Sequence, residues 1–444
     1  MTANIRQIAL QLLTQNTPQV FLKEEMSKKA ATLSHRDRAF LQQLLYGCFR
    51  WHLTLAHLVT KFCHVSTTSE EYWILQLGFY QLLFLKQIPP YAAVNETVSL
   101  KSSVKGRRFL NGVLRTFQRS LALPELSLKP ENSLLRRATE PPIGFKKPLF
   151  AHEDSLQQLS WRSSHPKWIL SNYQQVMSTT EMLDVLGWNN ENPPNTIRVN
   201  STKISLDDLK TRFSEAGIQF QATLHPLGLN LELEANIFSH PLFLDGLFTV
   251  QDTWSMSVVD ALHVVPEEHI LDLCAAPGGK TTYIAEQLKN TGDVLAIDLD
   301  TERLQKIREN QKRLGLSNIH IQSGKAESMI FEKKFDKILL DVPCSNSGAL
   351  ARRIEARYRQ QPSHLKELVS LQKKMLAQAI RWLKPEGRLV YSTCSLFVEE
   401  NQTQIQNFLK DHPAFQLEQE QLSLPGNPHF SGGYVAVLRQ KYSK

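Results

Sequence analysis

No stretch of this sequence approaches the roughly 18 uncharged residues of a membrane-spanning helix, so a spanning segment is not expected. The start, Met1-Thr-Ala-Asn-Ile-Arg6-Gln, lacks the charged-then-apolar pattern of a secretory signal, which points to a cytoplasmic location. Cysteine is sparse. Five residues (Cys48, Cys63, Cys274, Cys344 and Cys394) are an odd number without framework spacing, which excludes a disulfide-stapled secreted fold and suits free thiols. Two nucleotide fingerprints are also missing. There is no G-x-G-x-x-G, and the first glycine of a P-loop ending in Gly279-Lys280-Thr281 would fall at position 274, which is Cys. No metal is expected. Acidic residues are absent from Thr97 to Pro124, whereas Lys101, Lys105, Arg107, Arg108, Arg115 and Arg119 all lie there.

The 444 residues leave room for two or three domains with ample core, and the 42% hydrophobic and 21% charged composition is that of an ordinary globular protein. A formal charge of +8 favours a polyanionic partner. A local charge run is more often a solvated helix face, so the basic stretch needs support from other motifs.

Apolar periodicity predicts helices throughout residues 1–125. Ile5, Ala9, Leu12 and Leu13 repeat at helical spacing, as do Phe40, Leu41, Leu44, Leu45 and Phe49 after a candidate N-cap at Ser34. A helix from Tyr72 to Leu85 stops before Pro89-Pro90, and another runs from about Ala93 to a break near Gly106, then resumes through Leu110 and Phe117. Residues 126–160, with Pro130, Pro141, Pro142 and Pro148, read as a linker. Residues 161–250 read as helix followed by a small α+β subdomain. From 251 to 444 the pattern becomes apolar run, turn, amphipathic helix, with runs at 270–273, 294–297, 337–340 and 388–392. That alternation predicts a mostly parallel, doubly wound α/β sheet.

Three turns at the ends of these runs carry chemistry. Ligands of such sheets bind beyond the carboxyl ends of the strands. After Asp272, the turn Cys274-Ala275-Ala276-Pro277-Gly278-Gly279-Lys280 has small residues that let a ligand approach the backbone at the start of the next helix. Asp298, ending the next strand and 20 residues beyond Gly278, is placed to accept bonds from ribose hydroxyls. Asp341-Val342-Pro343-Cys344-Ser345 and Tyr391-Ser392-Thr393-Cys394-Ser395 supply the other two turns. A strand-end cysteine is usually a small core hydrophobe, and Cys48, Cys63 and Cys274 take that reading. Cys344 and Cys394 are flanked by hydroxyl residues on the face where the cofactor turn opens, so they are candidates for covalent chemistry, with the Asp341 carboxyl group nearby.

These three motifs, in this order, resemble the signatures of RNA 5-methylcytosine methyltransferases, which use S-adenosylmethionine. Asp37-Arg38-Ala-Phe, Leu45-Tyr46-Gly47, Leu77-Gly78-Phe-Tyr80-Gln81-Leu82-Leu83, Ile88-Pro89-Pro90 and Asn111-Gly112-Val113-Leu114-Arg115 resemble the helical domain related to the antitermination factor NusB. The pairing is similar to the Sun/Fmu group of small-subunit ribosomal RNA methyltransferases. His165-Pro166-Lys167-Trp168, Arg198-Val-Asn200 and Val250-Gln-Asp252 extend the resemblance over nearly the whole chain.

The resemblance implies an all-α NusB-like domain, an RNA-binding α+β subdomain and a Rossmann-like methyltransferase domain. It implies attack on cytosine carbon 6 by Cys394, product release assisted by Cys344, and a contact from Asp341 to the base edge. Cofactor contacts would come from residues 274–280 with Asp298 and Asp341. The implied partner is 16S ribosomal RNA, held in part by Lys101, Lys105, Arg107, Arg108 and Arg115, and a monomer is expected. Transfer RNA as substrate, or an RNA-binding assembly factor that has lost catalysis, are the alternatives.

Some positions depart from the family pattern. Gly324-Lys325 stands where the family has Gly-Asp, whose carboxylate contacts the adenine amino group. Asn346-Ser347 replaces a small residue plus threonine, Gln251-Asp252-Thr-Trp254-Ser255-Met256 is bulkier than usual, and Ser431-Gly432-Gly433-Tyr434 lacks the usual Asp-Gly-Phe-Phe form. None of these removes a candidate catalytic group.

Overall fold

The structure, a computed structural model, describes residues 4–15, 23–30, 33–122, 131–232, 237–426 and 431–441. The expected domain boundary at 125 lies outside the described residues. The chain divides into two compact units, residues 1–191 with 353–360, and residues 192–352 with 361–444.

Helices Ile5–Gln15, Lys23–Ala30, His35–Arg50, His52–Phe62, Ser69–Phe84, Pro90–Val98 and Val104–Ser120 build the first unit. Their apolar stripes, including Leu13, Leu44, Leu45, Leu55, Leu77, Phe79, Leu110 and Phe117, meet in one core. Ser34 caps its helix as expected, its side chain accepting from Asp37 N at 3.2 Å. Thr68 and Glu71 form a reciprocal capping box for the helix that ends at Phe84. The expected break near Gly106 falls earlier, at residues 99–103. Ser103 caps the new helix through Gly106 N at 3.2 Å, and a Cβ at Gly106 would meet Ser103 Oγ at 2.7 Å. Glycine is there for close packing inside a helix, not to end one.

The described part of the expected linker is packed. A short antiparallel pair, β1 (Leu134–Leu135) and β2 (Ile143–Gly144), precedes the helix Ser155–Ser163. Leu135, Phe145 and Phe150 are wholly buried in the helical core. Helices Lys167–Tyr173 and Thr179–Asn189 also belong to this unit, as does the segment 353–360. In that segment Arg357 is wholly buried and donates to Arg50 O at 3.0 Å and Asn190 Oδ1 at 2.7 Å.

The second unit holds two sheets. Strands β3 (Asn195–Val199), β4 (Gln219–Ala222), β5 (Gly228–Glu232) and β6 (Phe248–Val250) form an antiparallel sheet in the order β4-β5-β3-β6, with helix Leu206–Glu215 packed through Leu209 and Phe213. The larger sheet comprises β7 (His269–Leu273), β8 (Asp293–Asp298), β9 (Ile319–Ser323), β10 (Phe335–Asp341), β11 (Leu383–Thr393), β12 (Phe415–Ser423) and β13 (Gly433–Gln440). Its order is β12-β13-β11-β10-β7-β8-β9, parallel from β11 to β9 and antiparallel at β12 and β13. The four predicted apolar runs are β7, β8, β10 and β11, buried on both faces as parallel strands require. No described helix is long and apolar enough to cross a membrane.

Candidate active site

Strand register explains why two cysteines fifty residues apart meet. On adjacent parallel strands, Asp341 of β10 lies opposite Ser392 of β11. The chain beyond each leaves the same edge of the sheet, carrying Cys344 on one loop and Cys394 on the other. Their sulfur atoms lie 3.0 Å apart. The Cys394 thiol also donates to Asn346 Oδ1 at 3.2 Å, while Asn346 Nδ2 donates to Cys344 O at 2.9 Å. Contact with Cys394 and then burial push the Cys344 thiol well above its usual range.

Both oxygens of Asp341 are held. Lys280 donates to Oδ2 and Ser392 Oγ to Oδ1, each at 2.6 Å. Burial pulls the Lys280 ammonium down, but the Asp341 carboxylate outweighs it and the net shift is upward. Each carboxylate oxygen still has a free lone pair, so a base edge can bond there without displacing either partner.

The turn after β7 has a left-handed backbone at Cys274 (φ 64°) and Gly278 (φ 99°). Any Cβ at Gly278 would also approach Ile307 Cγ1 to 3.0 Å. Ala275 N bonds Ile297 O at 2.9 Å and Ala276 N bonds Asp298 Oδ2 at 2.9 Å, which ties the turn to the end of β8. Asp298 Oδ1 takes Asp300 N at 3.0 Å, and it is Asp300, not Asp298, that caps the helix Thr301–Leu314. Asp298 therefore keeps acceptor capacity for hydroxyl donors. Helix Gly279–Gln287 starts without a side-chain cap, so its first N–H groups have no intrahelical partner. Beneath the turn, Asp272 is wholly buried. Its Oδ2 accepts from Thr281 Oγ1 at 2.6 Å, its Oδ1 has no partner, and burial raises its pKa to about 7. An uncapped helix start, a turn of small residues with no room for a Cβ at Gly278 and a carboxylate with spare lone pairs fit a nucleoside carrying an amino-acid tail. Cys274 within this turn is a thiol that burial pushes far up, in keeping with a packing role.

Sequence reasoning missed the support behind the thiols. Glu400, wholly buried, accepts from Ser345 N at 2.9 Å, Ser345 Oγ at 2.5 Å and Gln372 Nε2 at 2.9 Å. Ser395 bonds it as well. Nothing but its position shortly after Cys394 marked this residue. The unusual tail is also engaged. Gly432 N bonds Gly348 O at 2.7 Å and Gly348 N bonds Cys394 O at 2.9 Å, while a Cβ at Gly348 would lie 2.5 Å from Gly432 O. Gly324 N bonds Asp298 O at 3.1 Å and leaves the Lys325 side chain exposed.

The expected RNA-contact residues stand in the helical unit. Lys105, Arg107 and Arg108 are exposed in the first turns of helix Val104–Ser120. Lys101 is engaged by Glu70 and Glu71, and Arg115 donates to Gln118 Oε1 at 3.2 Å.

A mostly parallel sheet with a cofactor turn after β7 and paired thiols beyond β10 and β11 is the arrangement of a methyltransferase of the S-adenosylmethionine-dependent class. Comparison with known proteins agrees. Residues 3–119 match the NusB family, residues 165–237 the ferredoxin-like domain of RsmF/B-like methyltransferases, and residues 259–441 the 16S rRNA methyltransferase RsmB/F family. Proteins named ribosomal RNA small subunit methyltransferase B from Salmonella arizonae and Salmonella heidelberg are 33% identical over 99% of this chain and 99% of their own. The crystal structure of PH0851 shares the fold over 98% of both chains (TM-score 0.76, 24% identity). A methyltransferase homologue from Pyrococcus horikoshii matches 65% of this chain and all of its own (TM-score 0.57, 31% identity). The chain belongs to the RsmB/F family of S-adenosylmethionine-dependent RNA cytosine-5 methyltransferases, with a NusB domain at its N-terminal end. The expected fold class holds, and the small α+β subdomain is the ferredoxin-like domain.

Proposed function

We propose that this protein methylates carbon 5 of a cytosine in 16S ribosomal RNA through a covalent adduct with Cys394. The observation that carries the reading is the contact of two thiols beside Asp341, an acid fixed by Lys280 and Ser392. Identity of 33% along the full length to proteins named for small-subunit ribosomal RNA supports the choice of RNA.

Carbon 5 of cytosine is a poor nucleophile. Addition of the Cys394 thiolate to carbon 6 gives it enamine character, so that it takes a methyl group. When bound, S-adenosylmethionine supplies that methyl as an electrophile, held by residues 274–280, Asp298 and the end of β10 at Asp341. Asp341 bonds the base edge and supports protonation of the ring nitrogen as the thiolate adds. Transfer of the carbon 5 proton to water then re-forms the carbon 5–carbon 6 double bond and breaks the carbon 6–sulfur bond, releasing Cys394 as a thiolate, while Cys344, a thiol beside it, assists release. A paired cytosine is out of reach, so the target is looped or flipped out.

Methylation assays with 16S ribosomal RNA and transfer RNA, read by bisulfite sequencing, test the reading. Conversion-resistant cytosine in 16S ribosomal RNA is expected. Modification of transfer RNA alone would move the substrate, and none in either would leave an RNA-binding factor.

A further inference from the structure

Two chemically identical thiols in contact must be kept in different roles, and among the described residues the only other side chain of their own loops that bonds a thiol, Asn346, accepts from Cys394. Behind them sits Glu400. Ser345 follows Cys344 in the chain and Ser395 follows Cys394, and both bond the same carboxylate. Ser345 Oγ and Ser395 Oγ also meet each other at 3.0 Å, and Ser347 Oγ joins them, 3.2 Å from the first and 3.0 Å from the second. Gln372 braces the carboxylate at 2.9 Å and reaches Pro343 O, the residue before Cys344, also at 2.9 Å. From the other side, Tyr391 OH donates to the Glu400 backbone oxygen at 2.7 Å.

We infer that Glu400 is a positioning residue for methyl transfer. Through Ser345 and Ser395 it locks the two cysteine loops in one register, and so fixes which sulfur faces the base. This rests on the covalent mechanism proposed above. The carboxylate has acceptor sites enough for the Ser345 amide, the hydroxyl network and Gln372 together, which an amide side chain does not. Burial raises the Glu400 carboxyl, and its serine partners oppose that shift. Its charge adds to the contact with Cys394 and the burial that raise the Cys344 thiol, and Cys394 is the less buried of the two.

The test uses the full chain with Glu400→Gln and Ser345→Ala. Glu400→Gln should leave S-adenosylmethionine binding and KM for RNA close to those of the unaltered protein. Its kcat should fall by about a hundredfold, the scale of a small misplacement of reacting groups. Alkylation by iodoacetamide, mapped by peptide mass spectrometry, should spread from Cys394 to Cys344. Ser345→Ala removes the same grip from the other end and should shift kcat and labelling the same way. Unaltered kcat and labelling in Glu400→Gln, or in Ser345→Ala if the first variant does not fold, would overturn the inference. The labelling pattern keeps the two ideas apart. An unaltered protein that methylates no RNA refutes the proposed reaction, whereas the partition of label between the cysteines still reports on Glu400.

Discussion

Cys344 and Cys394 face each other with 3.0 Å between sulfur atoms, although one leaves β10 and the other β11. Proximity of this kind makes each thiol part of the other's environment. It raises the proton affinity of the more buried one, Cys344.

Removing either thiol should therefore give different results. Cys394→Ala should lower methyl transfer by at least about a thousandfold, as loss of a covalent nucleophile does, with cofactor binding nearly intact. Cys344→Ala should allow the adduct to form but slow its breakdown, leaving a protein-RNA band on a denaturing gel. An adduct in the Cys394 variant instead would invert the assignment.

If the helical unit captures RNA through the basic stretch, fewer residues are available for it than the charge run suggested. Lys101 is tied to two glutamates, whereas Lys105, Arg107 and Arg108 are exposed together. Replacing those three with alanine should weaken RNA binding and reduce the slope of log K against log salt by about 2 to 3, roughly one for each phosphate no longer neutralised. Filter binding across a salt series measures it. An unchanged slope would leave the stretch a solvated helix face.

The parts legible in the sequence were those set by local pattern. β7, β8, β10 and β11 show as unbroken apolar runs because parallel strands are buried on both faces. β12 does not, since at the edge of the sheet it buries only Phe415 and leaves most of its residues exposed. The packed segment around Phe145 was hidden by its prolines, which mark turns whether or not the intervening side chains reach a core. Cys344, Cys394 and Asp341 could be picked out because each ends an apolar run. Glu400 could not, because its partners Ser345 and Gln372 are distant in sequence and meet it only once β10 lies beside β11 and the helix Pro362–Ala379 has packed.

Asp272 gives a stability signature of its own. Its pKa in the fold is about 7, against roughly 3.9 for an unperturbed aspartate. Between those values the folded protein binds more protons than the unfolded chain, so stability falls as pH rises from about 4 to about 7 and then levels. The full difference is on the order of 4 kcal/mol. Asp272→Asn keeps an acceptor for Thr281 and removes the buried charge. Urea melts at pH 5 and pH 8 should show the variant losing much less stability between them. Equal losses in both proteins would mean that Asp272 is charged in the fold.

Lys325 gives the sharpest test of how far the family geometry carries. The turn that holds it is tied to the end of β8, since Gly324 N bonds Asp298 O, and the side chain is exposed. An ammonium offers only donors, and so does the amino group of adenine, so the lysine cannot replace the carboxylate of the Gly-Asp pattern. It avoids the mismatch by facing solvent. Restoring an acceptor with Lys325→Asp should tighten S-adenosylmethionine binding by about 0.5–1.5 kcal/mol, up to about tenfold in Kd. Calorimetry on both forms measures the difference. Weaker binding in the aspartate variant would show that Lys325 makes a cofactor contact of its own, and that adenine sits differently in this enzyme than in relatives with Gly-Asp.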